Sequence, residues 1–249
     1  MKRQSSLLLL STLTLAAVVA QRPAQAQTAP DGQWHGSVSV GGAAASGTTT
    51  SRVITAAADG ARATVADKWT VYGLVNNGQS KTNGVTTKTA ELWRLGTRYD
   101  YNLTERIFAF GGGEAEANKL QDLDLRLSAN TGLGYKLIRE DAMTWDVFGG
   151  VGYSRSKYGV GTTRKGAELL LGEESTHKLS QTTSFKQRLV VFPGQNDVGN
   201  RATFDAALAT QIVGAWTLNV GASARYNSKV PVGFKKTETL FTVGFGYKY

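Results

Sequence analysis

His35 and His177 are the two histidines of a 249-residue chain that has no cysteine. His177 stands beside Glu173, Glu174 and Ser175, and His35 stands two residues before Ser37. A serine, a histidine and an acid that meet in space perform acyl transfer, because the histidine takes the serine proton and the acid orients the histidine. Closeness in sequence does not build that geometry. His35 falls at the start of a strand and His177 in a turn, so both read as polar turn or lumen residues, and no catalytic residue is assigned. Glu173-Glu174 offers carboxylates for a hard cation but reads as a solvated turn, and Asn196-Asp197 lacks the spaced oxygens of a calcium loop. Gly111-Gly112-Gly113 and Gly159-Val160-Gly161 have no strand–helix context for a nucleotide fingerprint. Thiolate and multi-histidine metal sites are excluded by composition. The reading is a non-enzymatic chain with no cofactor and no metal.

What remains is charge. Lysine and arginine number 28 against 19 acids, a formal +9. Such a balance can mean nucleic acid, but the first residues redirect it. Met1-Lys2-Arg3 is a positive head, Leu7 to Ala20 is an apolar run, and Ala24-Gln25-Ala26 is a small-residue cleavage motif. This is a secretory signal peptide over 1–26, cut between Ala26 and Gln27. The run is too short for a membrane span, which needs about 20 residues. Residues 27–33 form a short periplasmic segment, and 34–249 form one domain. In an exported chain the basic excess reads as lumen charge and as loops facing anionic lipopolysaccharide, not as a nucleic-acid site.

The mature chain alternates apolar and polar residues with period two. Leu125, Leu127, Ala129, Thr131, Leu133, Tyr135 and Leu137 oppose Arg126, Ser128, Asn130, Gly132, Gly134 and Lys136. Trp216–Asn227 and Arg201–Ile212 repeat the pattern. These stretches run to 10–14 residues, whereas strands in sandwiches average about 5–6 and tilted membrane-crossing strands need about 9–11. The polar face is small and glycine-rich, as inside a barrel. Twelve strands fit, at 33–46, 51–62, 67–79, 86–101, 105–116, 123–137, 143–155, 166–174, 179–193, 200–213, 215–228 and 236–249, with 51–62, 67–79, 105–116 and 166–174 the most blurred. The expectation is an all-β, transmembrane, antiparallel up-and-down barrel in the outer membrane.

Aromatic placement supports it. Trp34, Trp69, Trp145, Trp216, Tyr99, Tyr101, Tyr135, Tyr247 and Tyr249 fall at the strand ends nearest the termini, and Tyr153, Tyr158 and Tyr226 at the other edge. Such girdles mark membrane interfaces. Connections after the fourth, sixth and tenth strands are short, and those after the third, seventh, ninth and eleventh are longer or richer in glycine, lysine and serine and read as the loops of the opposite side, which puts both termini in the periplasm. Phe241, Val243, Phe245, Tyr247 and Tyr249 alternate to the last residue; Phe241, Phe245, Tyr247 and Tyr249 resemble the terminal signal read by the barrel assembly machinery. Leu127, Leu133, Val220 and Phe245 are assigned to the lipid face.

The chain resembles the salt-induced outer-membrane protein family, whose barrel domain has no assigned function. The resemblance lies in Trp34-His35-Gly36, the glycine-rich run to Ser46-Gly47-Thr48 read as Ser-Gly-Thr, Gly132-Leu133-Gly134-Tyr135, Gly150-Val151-Gly152-Tyr153, Gly172–Leu179 and Phe192-Pro193. Thr48 stands where the family often has asparagine after Ser-Gly. The resemblance implies a barrel and an outer-membrane location and transfers no catalytic residue.

On the clearer strands the inward face carries Arg94, Arg98, Arg126, Lys136, Lys186, Arg188, Arg201, Arg225, Lys236 and Lys248 against Asp100, Asp124, Asp146, Asp205 and Glu238, ten bases to five acids. The expected function is a narrow, weakly anion-selective solute pore. A structural or stress-related envelope protein without conductance is the alternative, and an outer-membrane hydrolase a distant third.

Overall fold

The computed structural model describes residues 30–46, 49–195 and 197–249. The signal segment and the Ala26/Gln27 cleavage point lie outside them. Twelve strands follow in order: β1 (Trp34–Ala45), β2 (Thr49–Ala63), β3 (Asp67–Thr82), β4 (Val85–Asn102), β5 (Ile107–Asn118), β6 (Leu123–Arg139), β7 (Met143–Tyr158), β8 (Thr163–Lys178), β9 (Thr183–Phe192), β10 (Arg201–Val213), β11 (Trp216–Asn227) and β12 (Thr237–Lys248). Each pairs antiparallel with its chain neighbours, and β1 pairs with β12 to close the barrel.

Side chains divide by parity. Leu127 and Phe245 are 51% and 60% exposed while the adjacent Arg126 is 5%. The apolar face is therefore outside and the charged face inside, the reverse of a water-soluble protein and the arrangement of a barrel in lipid. Leu133 and Val220 are likewise exposed. Pro193 and Pro231 lie outside the strands, where a missing amide donor costs no ladder bond.

Most exterior aromatics gather at the end that carries the termini. Trp34 and Trp69 meet at a tilt with centroids 5.9 Å apart, and Trp216 meets Tyr247 edge-on at 5.4 Å. Their polar ends are satisfied: Trp69 Nε1 donates to Thr97 Oγ1 at 2.7 Å and Tyr99 Oη to Asp67 Oδ2 at 2.8 Å. Tyr249 lies across the outer wall, its hydroxyl donating to the Asp59 carbonyl at 3.2 Å. Gly36 makes this possible, since a Cβ there would sit 2.6 Å from the Tyr249 hydroxyl.

Three expectations are corrected. The connection after β3 is a two-residue turn, Asn83-Gly84, with φ of 49° and 81°. That is the twist-matched hairpin turn an Asn-Gly pair favours, so the polar residues on either side extend the strands. β8 runs to Lys178, so Glu173, Glu174 and His177 lie on a strand and not in a turn. Tyr158 turns inward and is buried; its hydroxyl donates to the Lys229 carbonyl at 3.1 Å.

Candidate functional site: the barrel lumen

The waist of the barrel is built by residues in register on successive strands. Arg94, Glu116 and Arg126 are direct cross-strand partners on β4, β5 and β6. Glu116 Oε2 accepts from Arg94 Nη2 at 2.6 Å and Nε at 3.2 Å, and its Oε1 accepts from Arg126 Nη1 at 2.7 Å. Arg126 Nε donates to Ser156 on β7 at 2.8 Å. One carboxylate thus holds two buried guanidiniums, which satisfies the need for buried charges to be paired. Tyr72 on β3 donates its hydroxyl to Glu114 on β5. It reaches past β4 because Gly96 stands between them: a Cβ there would lie 2.2 Å from the tyrosine ring.

The other wall repeats the device. Arg201 grips Glu168 through two parallel bonds of 2.8 and 2.6 Å and lies over the Phe192 ring at 4.4 Å. Arg225 donates to Asp205 at 2.7 Å. Across the lumen, Asn118 of β5 donates to Glu238 of β12 at 2.5 Å, and Asn227 of β11 reaches the Tyr158 hydroxyl at 3.3 Å. These bonds tie opposite walls together at the end remote from the termini. The space left at the waist is a cavity of 100 Å³.

Nearer the termini the lumen contains an apolar cluster of Phe108, Phe110, Phe148, Leu170 and Val190, with Phe192 against it. Phe110 and Phe148 meet edge-on at 5.7 Å, and the Arg98 guanidinium lies 4.3 and 4.7 Å from their centroids. Gly134 and Gly172 receive the rings, since a Cβ would come within 2.1 Å of Phe108 and 2.6 Å of Phe148. Beyond the cluster a vestibule of 660 Å³ opens toward the termini. Its bases are Lys68, Arg98, Lys136, Arg139, Lys178 and Arg188, and its acids Asp67, Asp100, Asp146 and Glu174. Arg139 holds Asp146 at 2.6 and 2.9 Å, Arg98 holds Asp100 at 2.7 Å, and Arg188 lies 3.6 Å from Glu174.

The structure therefore places Arg94, Arg98, Arg126, Arg188, Arg201, Arg225 and Glu238 around the waist cavity, Asp205 beside Arg225, and Asp146 at the vestibule. Two parts of the inward tally change. Lys236 lies in the β11–β12 loop and Asp124 pairs with Lys119 at the rim. Asp59, Glu114, Glu116, Glu168 and Glu174 are further inward acids, and they offset the basic excess. These acids lie on the strands whose alternation is blurred. In β5 the alternation is inverted, with Phe108, Phe110, Glu114 and Glu116 inside and alanine and glycine outside.

The histidines do not enter this network. His35 Nε2 lies 2.7 Å from Asp31 at the rim. Ser175 Oγ and His177 Nε2 are 3.2 Å apart, a nucleophile–base distance, but Ser175 is 2% exposed and its neighbour Glu173 accepts from Trp145 at 3.0 Å. No acid is bonded to His177 among the described residues, and none of their His, Asp and Glu side chains form a metal-holding group.

A closed antiparallel barrel of twelve strands, apolar outside and ion-paired inside, has the architecture of outer-membrane barrels. The family described as "Protein of unknown function, DUF481" matches residues 38–249, and the chain belongs to that family. Among solved structures it is similar to the NanC porin, at 10% identity over 86% of this chain and 100% of that one, with a TM-score of 0.52. It is also similar to the COG4313 outer membrane channel from Pseudomonas putida F1, at 12% identity over 91% of this chain and 99% of that one, with a TM-score of 0.54. No curated protein matches the chain.

Proposed function

We propose that the protein is exported by a cleaved signal peptide and spans the outer membrane as a narrow, low-conductance solute pathway with a weak preference for anions. The observation that carries this reading is the shape and charge of the lumen. A vestibule of 660 Å³ with six bases to four acids leads to a waist of 100 Å³ crossed by paired arginines. Twelve strands enclose a lumen between a side-chain-filled eight-stranded barrel and an open sixteen-stranded porin. The anion preference resides at the vestibule end, where Arg98 and Arg188 line both spaces, because the other waist arginines, Arg94, Arg126, Arg201 and Arg225, are matched by Glu114, Glu116, Glu168, Asp205 and Glu238. Lipid and lipopolysaccharide are the partners of the outer wall, and the barrel assembly machinery is the partner of Phe241, Phe245, Tyr247 and Tyr249 during biogenesis.

Reversal potentials in planar bilayers under a salt gradient test the function. The expected result is a small conductance with an anion preference that fades as salt screens the vestibule charges. Cation preference would overturn the vestibule assignment. A second reading, a structural envelope barrel, is favoured by the complete pairing of Glu116 with Arg94 and Arg126; absence of current from wild type and from waist-opened variants alike would select it.

A further inference from the structure

We propose that the barrel wall has a lateral port between the halves of β1 and β12 remote from the termini, through which an acyl chain of the surrounding lipid reaches the lumen. The proposal is independent of conductance.

The seam between these strands is only partly closed. β1 pairs with β2 along its whole length, from Trp34↔Arg62 to Ala45↔Ser51. With β12 its pairing runs only from Ser37↔Lys248 to Val40↔Phe245, extended by the reciprocal Gly36–Tyr249 backbone bonds of 3.1 Å. Gly41–Ala45 therefore has no strand partner on that side among the described residues, although β12 continues alongside β11 to Thr237↔Tyr226. Gly244 still approaches Gly41, since a Cβ on it would lie 3.5 Å from the Gly41 Cα. A Cβ on Gly42 would meet only the Val53 carbonyl of β2. The strands part just above Gly41.

Depth places the lower part of the gap in hydrocarbon and its upper end at the outer interface. A tilted strand climbs about 2.6 Å per residue, so Gly41 to Ala45 lies about 18 to 29 Å above the Trp34 girdle, against an apolar band about 25 Å tall. Open backbone groups in lipid are costly, so this edge must be transiently covered or re-paired. Gly41 and Gly42, where the strands part, carry no side chain to seal it.

The occupant follows from what lies behind the gap. The waist and vestibule are charged, but the inner wall here carries an apolar cluster of Ala57, Leu74, Leu92 and Leu240. Leu240 belongs to β12 itself, and Ala57 and Leu74 are buried. Outside, the edge is flanked by exposed Val40, Phe241 and Val243. An acyl chain entering here exchanges one apolar environment for another, whereas a polar solute would be rejected.

The absence of native cysteine makes the test direct. V40C/F245C spans the paired part of the seam, and A44C/F241C continues the same register and pair type four residues on. In protein folded in bilayers, V40C/F245C should oxidise to an intramolecular disulfide, and A44C/F241C should do so severalfold more slowly. Equal rates would overturn the proposal, and so would a disulfide-linked dimer through Ala44→Cys, which would give the edge to a second copy. A fluorophore on Leu240→Cys should be quenched by phospholipid carrying a nitroxide on its acyl chain, while the same fluorophore on Ser128→Cys, on the lumen face of β6, should not. Absence of quenching at Leu240→Cys, or equal quenching at both, would refute entry of the chain.

Discussion

Glu116→Gln removes one negative charge and leaves the side chain's volume almost unchanged. In the wild type this carboxylate accepts three bonds, of 2.6, 3.2 and 2.7 Å, from Arg94 and Arg126. All three side chains are nearly inaccessible, at 3%, 8% and 6%. A glutamine has one oxygen left to accept with, so one guanidinium keeps a neutral acceptor and the other faces an amide donor. Removing one partner of a buried ion pair costs about 3–5 kcal/mol, chiefly because a charge is left uncompensated. The lower end applies here, since Arg94 retains Glu114 at 3.6 Å and Arg126 retains Ser156 at 2.8 Å. About 3 kcal/mol is roughly a 100-fold change in the folding equilibrium. Urea titration of the barrel in lipid vesicles, read by the gel mobility of folded and unfolded forms, measures it. Replacing the triad together, as Arg94→Met, Glu116→Leu and Arg126→Met, should cost much less than Glu116→Gln alone, because no charge is stranded. A loss below about 1 kcal/mol for Glu116→Gln would refute the reasoning and mean that water screens the waist.

Other expectations follow from the two faces. Leu127→Lys and Leu133→Lys place a charge on the outer wall and should each cost stability, below the roughly 2–4 kcal/mol of a midplane lysine because both lie toward the edges of the apolar band, whereas Ser128→Lys, one residue from Leu127 but inside, should refold nearly as well; equal losses would reverse the face assignment. Gly96→Ala should cost about 1–3 kcal/mol by overpacking, because its Cβ would meet the Tyr72 ring at 2.2 Å, and a combined Tyr72→Ala should relieve much of that clash; an unrelieved loss would place the cause elsewhere. Purified protein should show no phospholipid hydrolysis, and a hydrolysis rate abolished by His177→Ala would restore the Ser175–His177 pair to chemistry.

The strand count, the closed antiparallel order and the outer girdle were legible because a lipid-facing wall leaves a period-two signature that loops cannot imitate. The signature was strongest on β6 and β11, where large apolar residues face outward. It failed on β5, where Phe108 and Phe110 face inward against Arg98. It also failed at the end of β8, where Glu173, Ser175 and His177 alternate with Glu174 and Thr176 but every residue is polar. Alternation carries no signal when both faces have similar polarity. The lumen bases are legible from their strands, but Glu114 and Glu116 are hidden by the inverted pattern of β5, Glu168 by the continuous leucine run Leu169–Leu171 that follows it, and Glu174 by the all-polar end of β8. Which acid meets which base depends on register, and Arg94, Glu116 and Arg126 become neighbours only once β4, β5 and β6 are aligned. The Gly96–Tyr72–Glu114 crossing is likewise invisible until three strands are in place.

The most direct test of a pathway narrowed by the waist is single-channel recording of the refolded mature chain beside an Arg94→Ala/Glu116→Ala/Arg126→Ala variant. The account predicts a small wild-type conductance and a severalfold larger one in the variant. A large wild-type conductance that the triple substitution leaves unchanged would contradict it.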